Sequence, residues 1–156
     1  MKVDSNYFDF LGVAEGYKSK VYADSGGLPT IGFGHLLTKS EINSGKIYIN
    51  NVAVKYSLGL TPQQAMDLRR QDTSYVESCV NGLVQVALTQ NQYNALISFT
   101  FNVGNEAFRT STLLKKLNAG LYEEIPAQMR RWHHVAGKDV QGLINRREAD
   151  VKLWLS

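Results

Sequence analysis

A chain of 156 residues is long enough for one hydrophobic core, or for two small lobes sharing a core, and too short for independent domains. Its 44% hydrophobic and 20% charged residues exclude the disordered classes, and its single cysteine, Cys79, excludes an internal disulfide and reads as a small buried apolar residue. The net charge of +3 is carried by the second half: residues 1–80 hold eight Lys/Arg against eight Asp/Glu, and residues 81–156 hold nine against six, a bias that favours anionic partners without choosing among nucleic acid, membrane surface and acidic wall polymer.

In chain order, Tyr7, Phe8, Leu11 and Ala14 recur at helical spacing after a possible cap at Asp4 or Ser5, so a short helix is predicted over 4–15, with Gly16 as its stop. Lys2, Asp4, Asp9 and Glu15 interrupt this segment, so neither a secretory signal nor a membrane anchor is expected, and the product is expected in a cytoplasm. The pieces KVYAD and PTIGFG, with SGGLP between them, predict a small antiparallel hairpin from Lys18 to about Phe33. KIYINNVAV, residues 46–54, alternates apolar and polar and reads as a further strand or an edge loop.

At residue 61 the pattern changes. Thr61 as cap, Pro62 at the first helical position and Gln64 closing a capping box open a helix of about five turns, long enough to bridge two lobes. A second capping box, Thr89 with Gln92, opens NQYNALISFTF, and further helices are expected in STLLKKLNAG, EEIPAQMRRW and INRREADVKLWL. The fold class expected is α+β and mainly helical: a helix and small β-sheet lobe over about 1–60, a connecting helix over about 61–80, and a helical lobe over about 81–156, all in one domain.

Two acids and a hydroxyl stand out in the glycine-rich segment. Glu15 closes the first helix beside its apolar stripe, where burial favours a protonated carboxyl, whereas Asp24 sits in a turn with Ser25, Gly26 and Gly27, where a charged carboxylate stays hydrated. Glycoside hydrolysis needs such a division, a proton donor for the leaving oxygen and a carboxylate that prepares the nucleophile, and Thr30 is placed to orient a water.

The run Glu15, eight residues, Asp24, five residues, Thr30, then IGFGHLLTKS, resembles the active-site segment of the T-even phage lysozymes and their endolysin relatives. The likeness continues through RRQD at residues 69–72, NALISFTFNVGN, and a tail, STLLKKLNAG to RRWHHVAGKDVQGLINRREAD, similar to lambdoid-phage endolysins. It implies a lysozyme-like two-lobe fold and a muramidase that hydrolyses the β-1,4 bond between N-acetylmuramic acid and N-acetylglucosamine in peptidoglycan. It also implies Glu15 as general acid, Asp24 as second carboxylate and Thr30 as the water-positioning hydroxyl, with no metal and no cofactor.

The same resemblance pairs His35 with Asp72 as a structural support, sets Leu36, Phe101, Asn102 and Gly104 near the sugar, and brings one arginine near Glu15, for which Asn145-Arg146 is the better match than Arg147. Plain core packing competes for Phe101 and Leu36. Trp132 reads as core, and His133 and His134 as loop residues with no ligand partner. The partners expected are peptidoglycan and a holin-type membrane permeabiliser, with no nucleic acid and no stable membrane insertion. A monomer in the host cytoplasm that reaches the wall after release is expected. A catalytically inactive wall-binding protein and a basic nucleic-acid binder are the competing readings; Asp139, Glu148 and Asp150 interrupt the basic stripe that the latter needs.

Overall fold

The computed structural model of the protein describes residues 1–14 and 16–156, with the side chains of residues 12–14 left aside. Its contacts divide the chain into two units, Leu11–Ser74 and Met1–Phe10 with Tyr75–Ser156. This differs from the expected lobes at about 1–60 and 81–156, because the first helix, α1 (Ser5–Ala14), is shared between the units. Tyr7 is fully buried in the core of the second unit, and Val3 N–H donates to Glu77 at 2.7 Å in the same unit.

In the first unit the expected hairpin is present. Strand β1 (Lys18–Ala23) pairs antiparallel with β2 (Pro29–Gly32), Tyr22 facing Thr30, and β2 pairs with the short β3 (His35–Leu36), Thr30 facing Leu36. The central position of β2 buries Thr30 and Ile31. Gly32 is held at φ 69°, and a Cβ there would stand 3.3 Å from that of Ala65, so glycine serves both the turn and the close packing.

The segment 46–54 is two strands, not one. β4 (Lys46–Ile49) and β5 (Val52–Lys55) form a hairpin in which Asn50 and Asn51 take positive φ, the conformation that a two-residue type I′ turn requires. Ile47 and Ile49 point inward, and with Ile31, Leu37, Leu60, Ala65 and Leu68 they make the core of this unit. A short helix, α2 (Lys39–Ser44), which the periodicity did not announce, precedes the hairpin; Thr38 and Glu41 close its capping box and Gly45 ends it at φ 72°.

Helix α3 (Pro62–Leu83) opens with the expected reciprocal bonds of Thr61 and Gln64 and runs three residues beyond the predicted end. In the second unit, α4 (Gln90–Val103) starts on the Thr89–Gln92 capping box and buries every residue from Tyr93 to Thr100. Around it pack α6 (Thr112–Asn118), α7 (Ile125–Arg130) and α8 (Gln141–Leu155), through Leu113, Leu117, Ile125, Met129, Val151 and Trp154. Trp132 meets Phe99 edge-on at 5.9 Å, as a core residue should, and Cys79 is only partly buried at the core's margin. In this unit α5 (Asn105–Arg109) and a hairpin of β6 (His134–Val135) and β7 (Lys138–Asp139) lie outside the sequence expectation, so His134 stands in a strand and not a loop. Among the described residues no helix is long and apolar enough to cross a membrane.

Candidate active site

The β1–β2 turn is organised by Asp24. Its Oδ1 accepts the amide hydrogens of Gly26 at 2.9 Å and Leu28 at 2.8 Å, while its own N–H donates to the Leu28 carbonyl at 2.9 Å. The turn closes with Gly27 at φ 79°, donating its N–H to the Asp24 carbonyl. An aspartate followed by small residues does this because its short carboxylate reaches the amides two and four residues on. With Oδ1 engaged twice, the carboxylate is fixed in orientation.

Thr30 comes to the same residue, Leu28, from the other side. Its hydroxyl donates to the Leu28 carbonyl at 3.0 Å, so Leu28 is held through its N–H by Asp24 and through its C=O by Thr30. A threonine whose proton is committed in this way presents its oxygen as an acceptor. The side chain is 3% exposed, far more enclosed than Asp24. Glu15, the third member of the expected set, lies outside the described residues.

On the neighbouring strand His35 is gripped from both ends. Nδ1 meets Asp72 Oδ2 at 2.7 Å, the approach expected from the sequence, and Nε2 meets both Glu41 oxygens at 3.0 Å. Burial disfavours the charged ring, but Asp72 and Glu41 together outweigh it and hold the imidazole above its ordinary value. Glu41 is a partner of His35 beyond the expected pair, and its sequence signal is Thr38-Lys-Ser-Glu41, a capping box that fixes Glu41 beside the strand. Arg69, in the RRQD run, is buried and donates to the Phe33 carbonyl at 3.0 Å, tying α3 to the β2–β3 connection. Leu36 is half exposed.

In the second unit, Phe101 is partly buried against the core, with Asn102 exposed beside it; Gly104 follows at the end of α4 with φ 98°. Arg146 directs Nη2 at the hydroxyl of Ser98, 3.3 Å away, with Nε 3.9 Å from Asp150. Arg147 is the more buried arginine: Nε and Nη2 lie 3.1 and 3.0 Å from Asp150 Oδ2, and its guanidinium stacks over Phe99 at 5.1 Å. Burial pushes the Asp150 carboxyl up, and the two guanidiniums and the Ser98 hydroxyl, 2.6 Å away, oppose that shift. Asp150 is thus a buried partner of both arginines and not only an acid that interrupts a basic stripe; its spacing of three and four residues from them is the sequence signal for that pairing.

The mainly helical fold with small antiparallel sheets is shared with solved lysozymes, which places the protein in the lysozyme-like class. It is 38% identical over 156 residues to the endolysin of Salmonella phage P22, covering 100% of this chain and 99% of that one. A crystal structure of a P22 lysozyme mutant superposes with a TM-score of 0.78 at 36% identity, covering 100% and 99% of the two chains. The endolysin from Escherichia coli O157:H7 phage FAHEc1 does so with a TM-score of 0.80 at 31% identity, covering 100% and 94%. The chain belongs to the phage lysozyme family, which matches residues 12–150. It is accordingly a glycoside hydrolase of the lysozyme type, and the nucleic-acid-binding and inactive alternatives are not favoured.

Proposed function

We propose that this lysozyme cleaves the β-1,4 bond between N-acetylmuramic acid and N-acetylglucosamine with inversion, using Glu15 as general acid, Asp24 as base and Thr30 to orient the attacking water. The observation that carries this reading is the shared hold on Leu28: Asp24 Oδ1 on its N–H and the Thr30 hydroxyl on its C=O put a carboxylate and a hydroxyl acceptor around one fixed residue. A water hydrogen-bonded to both gives one proton towards Asp24 and the other to the threonine oxygen, and keeps a lone pair for the anomeric carbon. A retaining enzyme, whose second carboxylate attacks directly, has less need of such a water in its first step.

Leu36, Phe101, Asn102 and Gly104 are proposed as sugar contacts, His35 and Asp72 as supports of the β-sheet, and Arg146 as an orienting charge for Glu15. The substrate is peptidoglycan, the enzyme a monomer needing neither metal nor cofactor. Its route is from the host cytoplasm to the wall once a holin-type protein opens the membrane. Expression of this chain alone should leave cells intact until the membrane is permeabilised; lysis with an intact membrane overturns the route.

The mechanism is tested on purified peptidoglycan. Glu15→Gln keeps size and polarity but has no proton to deliver, so turnover should fall by at least about 10²-fold in a folded protein. NMR of the first-formed product should show the α-anomer. Full activity of Glu15→Gln removes the general acid, and a β-anomer appearing first removes inversion.

A further inference from the structure

The hairpin of β6 and β7 sets His134 directly opposite Asp139, and its ladder continues one step outward, where Val140 N–H donates to the His133 carbonyl at 2.9 Å. The turn, Ala136 and Gly137 at φ 51° and 77°, is the tight two-residue kind that leaves no freedom in this register. Cross-strand side chains on one face stand close enough to share a ligand. Here His134 Nδ1 lies 2.8 Å and His133 Nδ1 3.2 Å from the same oxygen, Asp139 Oδ1, and the two rings are 4.0 Å apart.

We propose that His133, His134 and Asp139 form a binding site for a late first-row divalent cation, with Zn²⁺ as its representative. Their ligand atoms all lie within 4.8 Å of one another. In a tetrahedral site with bonds of about 2.0–2.1 Å, ligand atoms stand roughly 3.3 Å apart, close to the two nitrogen–oxygen separations seen here. Two imidazole nitrogens and one carboxylate oxygen are the donor set of zinc, nickel and copper. Calcium and magnesium take oxygens instead.

A simple ion pair explains the arrangement less well. One imidazole suffices to pair with one carboxylate, whereas here two rings are brought against a single oxygen. His133 Nδ1 supplies a second, independent sign. It is shielded from solvent and has no hydrogen-bond partner among the described residues, since its approach to Asp139 has the distance of an ion pair without the alignment of a hydrogen bond. A metal ion satisfies that nitrogen where a proton does not. Bound there, it ties the residue after Trp132 to both strands of the hairpin and keeps a fourth position for water or an anionic group. Chain order alone shows no third ligand for His133 and His134, because Asp139 is brought to them only by the turn.

The full chain, stripped of metal with a chelator, is titrated calorimetrically with ZnCl₂. One equivalent should bind, Asp139→Asn and His134→Ala should each weaken binding by at least ~10-fold, and CaCl₂ should give no comparable binding. No stoichiometric binding, unchanged affinity in His134→Ala, or equal binding of calcium overturns the site. Since either variant is open to misfolding, NMR of the unmodified protein decides independently: Zn²⁺ should shift the ring protons of His133 and His134 and leave those of His35, and movement of His35 alone refutes the assignment.

Discussion

His35 is an imidazole with a carboxylate on each nitrogen, and that arrangement fixes the sign of its pH dependence. Its folded value is raised, because Asp72 and Glu41 favour the charged ring more than burial opposes it. The stability it contributes is therefore fully present below the unfolded value near 6.5 and is lost as pH rises through the higher folded one. A hydrogen bond to a charged group is worth about 1.5–3 kcal/mol, and this side chain is only 13% exposed, so little of that is lost to solvent. His35→Gln should destabilise the protein most near pH 6, by about 1.5–3 kcal/mol, with the difference shrinking towards alkaline pH; urea unfolding across that range checks it, and a difference that grows with pH contradicts the paired ring. Thr30 follows a similar argument from its own contacts. Being buried and bonded to Leu28, Thr30→Ala should lower stability by about 1 kcal/mol as well as activity, whereas Thr30→Ser should keep both, a comparison that peptidoglycan turnover and thermal unfolding make directly.

The capping box of α2 links an element boundary to that histidine. Glu41 returns Oε1 to the Thr38 N–H at 2.9 Å and sets the same carboxylate on His35. Thr38→Ala removes one half of the cap, should cost about 1 kcal/mol, and should narrow the His35-dependent part of stability; hydrogen exchange of the α2 amides, faster in the variant, is the check. The same box shows what a sequence reveals and what it hides. Thr61–Gln64 and Thr89–Gln92 were legible because a long apolar period follows each, whereas Thr38–Glu41 opens a helix of six residues, too short for a period to form. Residues 46–54 read as a strand or an edge loop, and not as the β4–β5 hairpin, because Asn50-Asn51 lacks the glycine that usually announces a type I′ turn, although asparagine tolerates the same backbone. Asp24 and Thr30 were legible as residues with a role to fill, from spacing and resemblance. Their common anchor on Leu28 was not, since it consists of backbone groups that every residue carries.

At the scale of the molecule the chain builds two cores of unequal size. Among the described residues the first unit buries a cluster of seven apolar side chains and the second one of sixteen. Burial of a Leu, Ile or Phe side chain stabilises by about 1.5–3 kcal/mol, so the smaller cluster has less to hold it against the entropy of its loops and short strands. Local opening follows the low-stability regions of a structure. The amides of β2 and β4 should therefore exchange through openings of lower free energy than those of α4, whose residues Tyr93 to Thr100 are all buried. Core truncations separate the two clusters. Leu96→Ala, in the larger core and fully buried, should cost about 2–5 kcal/mol and lower the protection of the slowest amides throughout the second unit. Ile47→Ala, 1% exposed in the smaller core, should cost a similar amount locally and speed exchange first in β2, β4 and β5. Native-state hydrogen exchange in low denaturant measures both. Equal acceleration of α4 and β4 amides by Ile47→Ala would mean that the cores open as one, against the division that their packing shows.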